Sequence, residues 1–110
     1  MIVVRGENDI SADDNAALLS ELARACEEHP SGRVILDLSD TDYVPTGTEA
    51  RALATAISEL ARPNHCQIAI VARPGAQYGV ARMIEAITEV RDATASAFAS
   101  FNEALGWVSP

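Results

Sequence analysis

The stretch Arg33-Val34-Ile35-Leu36-Asp37-Leu38-Ser39 constrains this chain more than any other. It is an apolar run tipped with Asp and Ser, followed by the polar turn Ser39-Asp40-Thr41-Asp42 and by the helix start Thr46-Gly47-Thr48-Glu49. A strand that is apolar on both faces must be covered on both, so the run predicts a buried central strand that delivers a loop to one edge of its sheet. Residues 67–72 form a second run of this kind, ended by Arg73-Pro74-Gly75.

The segments around these runs alternate in type. Ile2-Val3-Val4 reads as a short strand ended by Gly6. Ser11, with Asp13 and Asp14 in the following turn, is suited to capping a helix and complementing its dipole. Leu18, Leu22 and Cys26 continue that helix as an inward stripe up to His29, where Pro30 and the turn Ser31-Gly32 end it. Pro45 favours an extended Tyr43-Val44. Thr46 with Glu49 makes a capping-box pattern, and Ala50, Leu53, Ala54, Ile57 and Leu60 supply the stripe of a second helix closed by Arg62-Pro63-Asn64. Val80, Met83, Ile84 and Ile87 mark a third helix. Residues 94–98 are expected as an edge strand, although their alanines suit a helix as well. Ser100 with Glu103 opens a last helix carrying Phe101, Ala104, Leu105 and Val108 beside Trp107. The order βαβαβαβα predicts a single α/β domain spanning residues 1–110, a mostly parallel sheet with helices packed on it.

Charge narrows the function. Sixteen acids against eight bases give a formal net charge of −8, a field that repels nucleic acid and anionic membrane surfaces. All the bases are Arg, so a Schiff-base lysine, a Walker-type lysine and a lysine general base are excluded. Residues 1–6 are too short for a secretory signal and no apolar run reaches membrane-spanning length, which together predict a cytoplasmic protein with no membrane insertion. A monomer or weak homodimer is expected. Cys26 and Cys66 give no disulfide framework and would remain thiols in a reducing compartment. Cys26-x-x-His29 and His65-Cys66 invite a zinc reading, but Cys26 continues an apolar stripe, so a buried structural thiol is expected, with no metal and no cofactor.

The order of these signals resembles the STAS domain family, which includes bacterial anti-sigma factor antagonists. Gly6-Glu7-Asn8-Asp9-Ile10 is similar to the family's Gly-x-x-Asp entry to its first helix, and Val34-Ile35-Leu36-Asp37-Leu38-Ser39 to its central Val-Leu-Asp-Leu-Ser strand. Residues 97–105, Ala-Phe-Ala-Ser-Phe-Asn-Glu-Ala-Leu, resemble its closing strand and Glu-Ala-Leu helix. Tyr78-Gly79-Val80-Ala81-Arg82-Met83 with Leu105-Gly106-Trp107 looks closer to uncharacterised bacterial STAS-like proteins. The resemblance implies a non-enzymatic regulatory module whose partner is a protein, an anti-sigma factor or kinase-like regulator. It also implies a phosphorylated Ser or Thr at the start of the second helix. Pro45-Thr46-Gly47-Thr48 stands where the family has an Asp-Ser-Ser-Gly type motif, which makes Thr46 and Thr48 the candidate phosphosites.

Ligands of open α/β sheets collect at the carboxyl ends of strands. Asp37, Ser39, Asp40, Thr46, Arg73, Tyr78 and Arg82 are therefore expected around one cleft, as partner or ligand contacts. The alternative function is a small-molecule module in which Arg73, Tyr78 and Arg82 hold an anionic or lipid-like ligand over an apolar floor. Against it stands pairing of Arg82 with Glu85 and simple solvation of Arg73. No nucleophile elbow, glycine-rich phosphate loop or triad spacing is present, so no catalytic residue is assigned.

Overall fold

The computed structural model describes residues 2–5, 12–41 and 44–108; Ser11, the family-like entry at residues 6–10 and Tyr43 lie outside the described residues. Strands and helices alternate as β1 (Ile2–Arg5), α1 (Ala12–Glu28), β2 (Arg33–Asp37), α2 (Gly47–Ala61), β3 (Gln67–Val71), α3 (Ala76–Val90), β4 (Thr94–Phe98) and α4 (Phe101–Val108). The strands form one sheet in the order β1-β2-β3-β4, and every neighbouring pair is parallel. The sheet is thus wholly parallel, β4 is an edge strand, and the two most apolar strands occupy the centre.

Crossovers between successive parallel strands share one hand, so a sequential strand order sends every connecting helix to the same face. The side chains follow this rule. Val34 and Leu36 of β2, Ile68 and Ile70 of β3, and Ala95 and Ala97 of β4 share a core with Leu22 and Cys26 of α1, Ala50, Ala54 and Ile57 of α2, and Ala81 and Ile84 of α3. The alternate residues Ile35, Ala69 and Val71 face the other way and meet Ala104, with Phe101, Leu105, Trp107 and Val108 packed around it. α4 follows the last strand and is free to return over the second face, which the crossovers leave bare. Ile35, Ile68 and Ile70 are fully buried, each stabilising the fold by roughly 2–3 kcal/mol relative to an exposed side chain.

Local chemistry sets the element boundaries. The Thr46 hydroxyl accepts the Glu49 amide at 3.2 Å while the Glu49 carboxylate accepts the Thr46 amide at 3.1 Å, completing the capping box of α2. Ser100 Oγ accepts the Glu103 amide at 3.2 Å at the start of α4. Leu38 and Ala72, expected inside strands, lie one residue beyond them, although Leu38 still donates to Val71 O at 2.8 Å and Ala72 to Phe98 O at 3.0 Å. Arg62–Asn64 forms a 3-10 turn, and His65, at φ 53°, redirects the chain into β3. Between α1 and β2 the chain doubles back so tightly that a Cβ on Gly32 would sit 2.8 Å from His29 O, a contact only glycine avoids.

Two side chains secure the margins of the sheet. Glu85 of α3 accepts the Ala97 amide of the edge strand β4 at 2.6 Å. Arg33 donates to the Trp107 carbonyl, lies 5.1 Å from the indole centroid, and hydrogen-bonds Gln67 Oε1 at 2.9 Å, so it fastens the last turn of α4 to the start of β2 and β3. Phe98 completes the setting at 5.7 Å from the indole. Arg33→Ala should lower stability by about 1 kcal/mol and red-shift the emission of the single tryptophan as α4 loosens; unchanged emission and urea midpoint would contradict the clamp.

Candidate functional site

Sheet register decides which loops meet. Asp37 pairs with Val71, so Ser39 and Arg73, each two residues further on, leave the same carboxyl edge side by side. The start of α2 follows the β2 loop, and Tyr78 and Arg82 lie in the first half of α3, which follows the Arg73 loop.

Asp37 is buried at the tip of β2, where its Oδ1 accepts both the Ser39 amide at 2.9 Å and the Ser39 hydroxyl at 2.5 Å. The carboxylate therefore shapes the loop from beneath. Thr41 is also buried, and its amide and hydroxyl both donate to Leu38 O at 3.1 Å. Its carbonyl accepts the Arg73 guanidinium and the Gln77 side-chain amide, the latter at 3.2 Å, while Gln77 Oε1 accepts the Arg73 amide at 2.6 Å. The loops after β2 and β3 are thereby locked together through one carbonyl. Arg73 is exposed yet engaged in this lock, a third arrangement beyond ligand binding and simple solvation.

Thr41 and Gln77 were not among the candidates, and one of them left a trace in the sequence. The inward positions of α3 are Gln77, Ala81, Ile84 and Thr88, a helical stripe whose two ends are polar. A glutamine on a buried stripe at a helix start signals a tertiary hydrogen bond. Thr41 left none, because its partners come from another strand's loop.

The remaining candidates separate. Asp40 is exposed in the turn. Tyr78 is half-buried, packs against the larger core, and donates its amide to Arg73 O at 3.0 Å. Arg82 pairs with Glu85 at 3.5 Å, with 59% of its side chain exposed, so the interaction is a weak surface one. Pro45 is buried and lines an apolar cavity with Leu18, Leu19, Leu22, Leu38, Leu53 and Ile57. The cavity holds about 20 Å3, room for one water-sized sphere. Thr46, Gly47 and Thr48 are exposed, and Val44 just before them is 45% exposed.

At the amino edge the four potential zinc ligands do not converge. His29 and His65 are exposed, whereas Cys26 and Cys66 are buried, and no cluster of three or more metal-ligating side chains occurs among the described residues. The two thiols instead lie against each other, and Cys66 Sγ donates to Gln67 O at 3.9 Å. This contact, together with burial and the nearby Glu27, raises the Cys26 thiol.

No family model matches the chain, and neither a curated protein nor a solved structure matches it. No helix among the described residues is long and apolar enough to cross a membrane.

Asp37→Ala should cost about 2 kcal/mol, because it strips the Ser39 amide of its acceptor beside the core. Thr46→Ala should cost about 1 kcal/mol through the lost cap. Urea denaturation of the two variants checks both values and their order.

Proposed function

We propose that this chain is a non-enzymatic, STAS-like regulatory module that contacts another protein through the loop after β2 and the first turn of α2. The observation that carries the reading is the exposed set Val44, Thr46, Gly47 and Thr48 around the buried Pro45, on the same edge as the Asp37–Ser39 and Thr41–Arg73–Gln77 hydrogen bonds. It combines an accessible apolar side chain, two accessible hydroxyls and a rigid base, as a recognition surface requires. The order of signals along the sequence supports the family reading in the same way.

Phosphorylation at this segment has a defined physical consequence. The Thr46 hydroxyl already accepts an amide inside the capping box, so a phosphate there would bring a dianion beside the Glu49 carboxylate and displace it. The phosphate would itself take over the free amides and the positive end of the helix dipole. Thr48 sits in the same turn, and a phosphate there would leave the Thr46 cap in place. Modification of Thr46 thus exchanges one cap for another and releases Glu49 toward the partner surface, while Thr48 adds charge alone.

The small-molecule reading finds less support at this edge. Arg73 is engaged with Thr41, Arg82 faces Glu85, and the apolar cavity of about 20 Å3 is far below the volume of a lipid chain or a drug-sized ligand.

Incubation with purified bacterial anti-sigma kinase domains, followed by intact-mass measurement and peptide mapping, should show one phosphate on Thr46 or Thr48. Binding to the cognate kinase domain should weaken about tenfold or more in Thr46→Glu, equivalent to about 1.4 kcal/mol. Absence of both phosphate uptake and measurable binding across the kinase set would remove the reading.

A further inference from the structure

The amino edge of the sheet carries chemistry that the opposite edge does not use. Cys26 lies in the last turns of α1 and is fully buried; Cys66 immediately precedes β3 and is 3% exposed. Far apart in sequence, the two meet because β2 and β3 are neighbours. The Gln67 amide donates to Gly32 O at 2.9 Å and the Ser31 amide to Asn64 O at 2.7 Å, which draws the α1–β2 turn against the segment entering β3. A pocket of about 160 Å3 opens from the surface onto Cys66, and Arg62, His65, Gln67 and Asp92 line it.

We propose that Cys66 and Cys26 form a hydroperoxide-reactive dithiol site, in which Cys66 is oxidised through this pocket and Cys26 resolves it as an intramolecular disulfide. In the first step the Cys66 thiolate attacks one oxygen of hydrogen peroxide. An S–O bond forms, the O–O bond breaks, and the leaving hydroxide takes a proton from solvent to depart as water. In the second step the Cys26 sulfur attacks the sulfenic sulfur of Cys66. The S–S bond forms, the S–O bond breaks, and the leaving hydroxide departs as water with the proton given up by Cys26. Two thiols lose two electrons in total, and one peroxide becomes two waters.

Two observations set the order and the oxidant. The pocket reaches Cys66, whereas Cys26 stands behind it with no exposed surface. The volume of about 160 Å3 lies below the roughly 300–1,000 Å3 of ordinary ligand clefts, so hydrogen peroxide enters while a tripeptide disulfide such as oxidised glutathione does not. The disulfide would tie the end of α1 to the start of β3, leaving the carboxyl edge and its proposed partner surface unmodified.

The test treats the full chain with hydrogen peroxide, quenches with catalase, and alkylates after denaturation. Loss of two hydrogens by intact mass, a linked Cys26–Cys66 peptide, and recovery of both thiols with dithiothreitol are expected. In Cys26→Ser the Cys66 sulfenic acid should be trapped by dimedone, and in Cys66→Ser oxidation of Cys26 should be at least about tenfold slower, the discrimination expected for a buried, unactivated thiol. The linked-peptide map on the wild-type chain stands whether or not either variant folds. The proposal is overturned if peroxide adds oxygen only to methionine while both thiols stay alkylatable, if the disulfide joins two chains, or if Cys66→Ser leaves the rate of Cys26 oxidation unchanged. Oxidation by glutathione disulfide as fast as by peroxide would overturn the assignment of the pocket.

Discussion

Parallel pairing of β2 with β3 is the interaction on which the rest of the molecule depends. Both strands bury side chains toward two cores at once, so neither can slip by one residue without sending isoleucines and valines to the wrong layer. With that register set, the loops after the two strands must leave together at one edge, and the turns before them must arrive together at the other. The candidate recognition surface and the thiol pair are both products of this alignment.

The two edges are built by different means. At the carboxyl edge, buried polar groups are satisfied: Asp37 holds the Ser39 turn, and Thr41 and Gln77, joined by the exposed Arg73, tie one loop to the next. Such a network costs desolvation but favours one arrangement of the two loops over its alternatives. At the amino edge the turns are held by backbone hydrogen bonds, by Gly32 and by the Arg33 side chain on Gln67 and Trp107, and two buried thiols lie behind them.

The fold was largely legible in the sequence because its signals are local. Apolar runs marked β2 and β3, capping residues marked α2 and α4, and even the alanine-rich β4 fell at residues 94–98 as expected. Helical periodicity also named most of the core. What could not be read were contacts created by strand order and by the choice of face. The Thr41 carbonyl as a shared acceptor and the docking of Trp107 on Arg33 each require two segments made adjacent by the sheet. Pro45 is an intermediate case: its effect on the backbone before it was legible, whereas its place against Leu18, Leu19 and Leu53 depends on two helices brought together by the fold. Arg73 shows the reverse difficulty, since a charged residue at a loop end looks available until its acceptor is found.

One margin of the sheet has a consequence for how the molecule behaves in a crowded solution. A parallel edge strand with vacant amides is a template on which a neighbouring chain can lay down a further strand. By placing the Glu85 carboxylate on the Ala97 amide, α3 occupies one of these template sites and sets a negative charge in the path of any incoming backbone. The same acidic residue thereby discourages runaway sheet extension, a safeguard against fibrous association that requires no additional element of structure.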